Sequence, residues 1–88
     1  MTMQEKLYVG NLSFNTTEKS LEELFGRYGT ILSVKIIRDK ITNQSRGFGF
    51  VELQNISDIE KLLSDLRGYN LDGRRIRVKI AENTVDTE

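Results

Sequence analysis

The chain has 88 residues, with 13 Lys and Arg against 13 Asp and Glu, a formal net charge of zero, and neither cysteine nor histidine. That length suits one small domain. Without cysteine there is no disulfide framework or thiolate metal site, and without histidine the commonest general base and metal ligand are missing. No apolar run approaches the ~20 residues of a membrane span. Residues 1–5 form a polar N-terminal segment without the apolar core of a signal peptide. The expected setting is a reducing, cytoplasmic one. Zero net charge argues at first against a nucleic-acid partner.

The first predicted strand is Leu7-Tyr8-Val9-Gly10-Asn11-Leu12, ending at Asn11. Leu7 and Val9 take one face, Tyr8 and Gly10 the other. Thr16 or Thr17 then caps a helix, with Glu18 in its first turn. Leu21, Leu24, Phe25 and Tyr28 recur at helical spacing, and Gly29 is read as the left-handed residue that ends the helix. Ile31 to Arg38 is β-branched and strand-like, with Val34 and Ile36 facing in and Lys35 and Ile37 out. Asp39 to Ser45 is a polar loop.

Arg46-Gly47-Phe48-Gly49-Phe50-Val51-Glu52-Leu53 is the most informative segment. Alternation puts Phe48 and Phe50 on one face with Arg46 and Glu52, and Val51 and Leu53 on the other. The purely apolar face is the one to bury. Two phenylalanines therefore remain on the charged, wet face, where exposed aromatics suit base stacking. Their charged neighbours argue against a core packed on both sides. Gly47-x-Gly49 is too short for a dinucleotide fingerprint, and no helix follows directly.

Asn55 or Ser57 is the expected cap of a second helix, Ser57 with Glu60 forming a capping box. Its apolar face is Ile59, Leu62, Leu63 and Leu66, and Gly68 closes it. Asp72-Gly73 signals a turn. From Arg74 to Ala81, Ile76, Val78 and Ile80 alternate with Arg75, Arg77 and Lys79. The polar, acidic end, with Glu82, Asp86 and Glu88, is read as a frayed, solvated tail.

The order is strand-helix-strand, twice. Each amphipathic helix covers one sheet face, which leaves the other face in water. The expected fold is α+β, a ferredoxin-like βαββαβ sandwich with a four-stranded antiparallel sheet and two helices on one face. Charge follows the same division. The strand segments hold eight basic residues (Lys6, Lys35, Arg38, Arg46, Arg74, Arg75, Arg77 and Lys79) and one acid, Glu52, whereas each helix holds three acids and two bases. Most of these bases are expected on the open sheet face, where they attract a polyanion. Arg75 and Arg77 also suit an edge strand charged against aggregation. Tyr28, Tyr69 and Phe14 are assigned to packing.

Arg46 to Glu52 matches the first seven positions of the octamer Lys/Arg-Gly-Phe/Tyr-Gly/Ala-Phe-Val-x-Phe/Tyr. By that segment the chain resembles the RNA recognition motif (RRM) family. Leu7 to Leu12 is similar to the family's hexamer, and Phe25-Gly26-Arg27-Tyr28-Gly29 and Gly73 to Val78 also fit its pattern. The resemblance covers residues 6–82 as an RRM domain, with 83–88 as the tail. The compact form resembles small stand-alone single-RRM proteins of bacteria and cyanobacteria. The eighth octamer position, Leu53, departs from the pattern but falls on the core side. Asn43 stands where the loop usually has glycine.

The resemblance implies strand order 4-1-3-2, with the two motif strands central. Carried over residue by residue, it implies stacking of bases on Tyr8 and Phe50, sugar contact by Phe48 and phosphate contact by Arg46. Lys79 and the segment from Ala81 to Asn83 fall where the family reads base edges. Lys6, Lys35, Arg75 and Arg77 complete the expected RNA-binding set. The expected partner is single-stranded RNA, with single-stranded DNA as a second candidate strand. A monomer with no cofactor, no membrane association and no enzymatic activity is expected, acting in post-transcriptional regulation. The alternative is an RRM used as a protein-peptide binding module. An acylphosphatase-like enzyme on the same fold has no glycine-rich phosphate loop, histidine or carboxylate pair to support it.

Overall fold

Alternating side chains along three long strands and two short amphipathic helices settle into two layers. The computed structural model describes residues 3–81. The elements in chain order are β1 (Met3–Gly10), α1 (Glu18–Phe25), β2 (Thr30–Arg38), β3 (Ser45–Ile56), α2 (Ile59–Leu66), β4 (Asn70–Leu71), β5 (Arg74–Arg75) and β6 (Arg77–Ile80). The main sheet has four strands in the order β2-β3-β1-β6, every pair antiparallel. This is the expected 4-1-3-2 order with β6 as the fourth strand, and the βαββαβ fold is confirmed.

The core lies between the sheet and both helices. Leu7 and Val9 of β1 and Val51 and Leu53 of β3 are all 0% exposed, and they pack with Leu21 and Phe25 of α1 and Leu62 and Leu66 of α2. Fully burying a side chain of this size contributes ~1.5–3 kcal/mol. Leu53 thus belongs to the core, as its parity requires.

Local corrections concern the helix ends and the last strand. Thr17, not Thr16, caps α1, accepting a hydrogen bond from the Ser20 N–H at 3.2 Å. Thr16 is instead buried and donates to the Asp72 carboxylate at 2.8 Å. The helix stops at Phe25, with Gly26 as its cap. Gly29 is not left-handed. Its backbone lies so close to β3 that an added Cβ would stand 2.8 Å from the Gln54 carbonyl oxygen. The second cap is Asp58 rather than Asn55 or Ser57, so the proposed capping box is absent. The Asp58 carboxylate accepts from the Lys61 N–H at 3.0 Å.

The segment from Arg74 to Ala81 is not one strand. Arg74 and Arg75 pair back on β4 through a two-residue turn at Asp72 (φ 54°) and Gly73 (φ 88°), which is type I′ hairpin geometry. Only Arg77–Ile80 joins the main sheet, beside β1. Ile80 lies opposite Leu7 on the expected face, but at the end of this outer strand it remains 40% exposed and outside the packed core. At the other end β1 begins at Met3, paired with Ile56, so residues 3–5 run into the sheet and are not a separate segment.

Candidate nucleic-acid interface

The register of the two central strands builds the site. Tyr8 lies opposite Phe50 and Gly10 opposite Phe48, so three aromatic rings meet on the face turned away from the helices. Tyr8 lies 6.0 Å from Phe48 at an interplanar angle of 30° and 6.0 Å from Phe50 at 68°. Phe48 and Phe50 meet edge to face at 6.3 Å. The Tyr8 ring folds over Gly10, where an added Cβ would meet its hydroxyl at 2.5 Å. Gly49 has a different reason. A Cβ there would collide with the Lys35 carbonyl of β2, so only glycine lets the neighbouring strand close on β3.

Cations surround the rings. The Lys6 ammonium lies 4.9 Å from the Phe50 centroid and the Lys79 ammonium 5.4 Å from that of Tyr8. Both distances lie within cation–π range. Lys35 pairs across from Phe50 on β2 and is exposed. Glu52, on the ring face of β3, accepts a hydrogen bond from the Ser33 hydroxyl at 2.9 Å.

The remaining predicted residues lie at the margins of the ring cluster or beyond it, and Arg46 shares a groove with Tyr8 and Phe48. Arg46 is exposed at the start of β3, next to the β2–β3 loop. There the Asp39 carboxylate accepts the backbone N–H groups of Thr42 at 3.0 Å and Ile41 at 2.8 Å. Those bonds, outweighing desolvation and aided by the Arg46 charge, hold its carboxyl below the ordinary range. Asn43 in the same loop adopts φ 63°, as its place in a glycine position requires.

Arg75 belongs to the β4–β5 hairpin, and Arg77 lies opposite Gly10 on β6. With Arg67 they line a depression at the outer edge of the sheet. Arg38 leaves the open face altogether. Its guanidinium meets the Glu18 carboxylate of α1 at 3.1 Å. Burial pushes the Glu18 carboxyl up, but its backbone hydrogen bond and Arg38 together hold it below the usual value. Asn83 lies outside the described residues, as do Glu82, Asp86 and Glu88.

Of the three residues assigned to packing, only Tyr28 joins the core edge. Tyr28 packs on the core edge and donates to the Asp65 carboxylate at 2.9 Å. Burial, then that bond and its negative charge, raise the phenol's pKa above the ordinary value. Tyr69 is 36% exposed, with its backbone bonded to Leu66 and Ile76. Phe14 departs furthest from that assignment. It is 62% exposed in the β1–α1 loop and reaches no core residue set. It lacks a strand or helix period, so nothing in the pattern located its side chain.

Among the described residues there is no group of carboxylates able to hold a metal, and no helix is long and apolar enough to cross a membrane. What the face offers is an open sheet with three clustered aromatics and flexible cations above them. Such a surface binds by stacking and charge.

The comparisons with known proteins agree with this architecture. The RNA recognition motif model matches residues 7–77. The chain belongs to that family. Its similar relatives include the chloroplastic RNA-binding protein CP29B of Arabidopsis thaliana, 48% identical over 73 residues, 83% of this chain and 25% of the relative. A 29 kDa chloroplastic ribonucleoprotein of the same plant is 43% identical over 77 residues, 88% of this chain and 22% of the relative. The chain thus spans about a quarter of the length of these curated relatives. Among solved structures, the RNA-binding protein PG1 superposes with a TM-score of 0.83 at 35% identity, covering 93% of this chain and 99% of that one. The Sxl-lethal protein/RNA complex superposes at 0.77 with 34% identity, covering 88% and 47%.

Proposed function

We propose that the protein binds single-stranded RNA on its open sheet face, in post-transcriptional regulation. The observation that carries this reading is the cluster of Tyr8, Phe48 and Phe50 on a wet face, with Lys6 and Lys79 over two of its rings. Sheet aromatics in this family stack two or three bases, and unpaired bases are the ones whose faces are free. Tyr8 and Phe50 are the stacking platforms, Phe48 packs against the intervening sugars, and Arg46 contacts phosphate. Lys6, Lys35 and Lys79 supply charge at the rings, Arg75 and Arg77 at the edge. Asn83 is retained as a base-edge contact. The RNA-binding relatives and the RNA complex among the structural neighbours support this reading.

The protein acts as a monomer in the cytoplasm on this reading, and sedimentation and cell fractionation test those two points. The binding test is a Phe48→Ala/Phe50→Ala double variant. Each lost stack is expected to weaken RNA binding by ~1–3 kcal/mol. A variant that folds and binds unstructured RNA like the parent rejects the assignment. Retention of a protein partner after nuclease treatment, with no RNA bound by the parent, would instead favour the peptide-binding alternative. Single-stranded DNA of the same sequence serves as the control strand.

A further inference from the structure

Phe14 stands out as a large apolar side chain left in solvent beside the aromatic cluster. It is 62% exposed and helps line a groove of about 530 Å³ that runs from Tyr8 and Phe48 into the β1–α1 loop. The groove is therefore continuous with the ring cluster. Arg46 and Arg74 also line it, and among the described residues no acidic one does.

The loop that holds Phe14 is braced. Asn11, at φ 56°, donates from its amide to the Arg75 carbonyl at 2.7 Å and accepts from the Arg74 guanidinium. Thr16 donates to Asp72 at 2.8 Å. Both contacts tie the loop to the β4–β5 hairpin. Within the loop, the Ser13 hydroxyl accepts the Asn15 N–H at 3.1 Å and the Ser13 carbonyl accepts the Thr16 N–H at 3.1 Å. Holding the loop before a ligand arrives reduces the ordering cost of binding.

We propose that Phe14 is a further stacking platform, which takes one additional nucleotide of the same RNA strand beyond the bases on Tyr8 and Phe50. Arg46 and Arg74 flank the groove at positions suited to the adjoining phosphates, and an aromatic face with cationic borders is what a single-stranded base and its backbone require. An acidic partner surface could satisfy the arginines alone. The continuity with Tyr8 and Phe48 favours a strand already engaged by those rings. The inference rests on the RNA-binding reading above.

The chain has no tryptophan, so Phe14→Trp provides a single indole reporter. In the full-length variant, RNA oligomers of about six nucleotides should quench its fluorescence, while oligomers of about three should bind without doing so. In parallel, Phe14→Ala should lose roughly 5- to 150-fold in affinity for the longer oligomer and almost nothing for the shorter one. Extending the oligomer separately at its 5′ and 3′ ends identifies the side on which the extra base lies.

An unquenched indole with the longer oligomer bound, or equal losses at both lengths, overturns the proposal. Quenching by a protein partner but not by RNA does the same. If the parent binds RNA and loses it in Phe48→Ala/Phe50→Ala, while Phe14→Ala is unaffected at every length, the sheet-face reading stands and this inference alone fails. If the parent binds no RNA, both fail.

Discussion

The two faces of β3 carry opposite kinds of residue within one short segment. Val51 and Leu53 are 0% exposed beneath the helices, whereas Phe48 and Phe50 remain partly open on the other side with Lys6 above one ring. Neighbours in sequence thus answer to different demands. The covered face is constrained by close packing, where a missing methylene leaves a cavity. The open face is constrained by what it can stack and attract. Stability and affinity should therefore respond to different substitutions on the same strand, and each variant can be read against its neighbour.

The largest effect is expected on the covered face. Leu53→Ala removes a fully buried side chain and should cost about 2–5 kcal/mol in urea unfolding. A value within a few tenths of the parent would mean that the helices and the sheet close over the gap. Gly49→Ala comes next, at roughly 1–3 kcal/mol, because the new methyl must displace the Lys35 backbone. A neutral result would show that β2 can move away from β3 at little cost.

The same division explains what could be read from the sequence. Period-two alternation in β1 and β3 identified the core face and the ring face, because a sheet with one covered face fixes register strongly, while their central pairing followed from the family resemblance. The division of charge between strands and helices was visible as well. The failures occur where partners distant in sequence decide the outcome. Arg38 belongs to a basic strand, yet it shares the parity of Val34 and Ile36 and meets Glu18 of α1 on the helix side. Arg74 and Arg75 are a local exception, where the Asp72-Gly73 turn pairs them with Leu71 and Asn70 although they continue an alternating run. Gly29 looked like a helix terminator, whereas the constraint is the Gln54 carbonyl on β3. Thr16 and Thr17 were interchangeable as caps until Asp72 engaged Thr16.

On the open face, Tyr8→Ala tests the separation from the other side. It should lower affinity for single-stranded RNA by about 1–3 kcal/mol, with a smaller change in unfolding free energy because the ring is only partly buried. Titration calorimetry and urea unfolding of one preparation give both numbers. A stability loss as large as that of Leu53→Ala would merge the two faces into one structural unit. Lys79→Ala is a gentler probe. Loss of one phosphate contact should flatten the salt dependence of log affinity by about 0.7, whereas loss of ring packing alone would leave that slope unchanged.

The smallest expected effect lies at the end of the strand pair, where Asp39 ties down the β2–β3 loop beside Arg46. Its carboxyl titrates below its ordinary value because backbone N–H groups, first that of Thr42 and then that of Ile41, favour the charged form. A carboxylate whose folded pKa is depressed stabilises the fold fully above its unfolded pKa, near 3.9, and loses that contribution as pH falls through the lower folded value. Asp39→Asn keeps an oxygen acceptor but removes the titration. The parent should therefore exceed the variant in melting temperature at neutral pH, and the gap should close on acidification through that window. Glu18 titrates in both proteins and cancels in the difference. A gap that stays constant across the acid range would show that the Asp39 charge does not stabilise the loop. The loop's order would then rest on its backbone hydrogen bonds, Asp39 N–H to the Gln44 carbonyl and Asn43 N–H to the Asp39 carbonyl, together with the β2–β3 pairing.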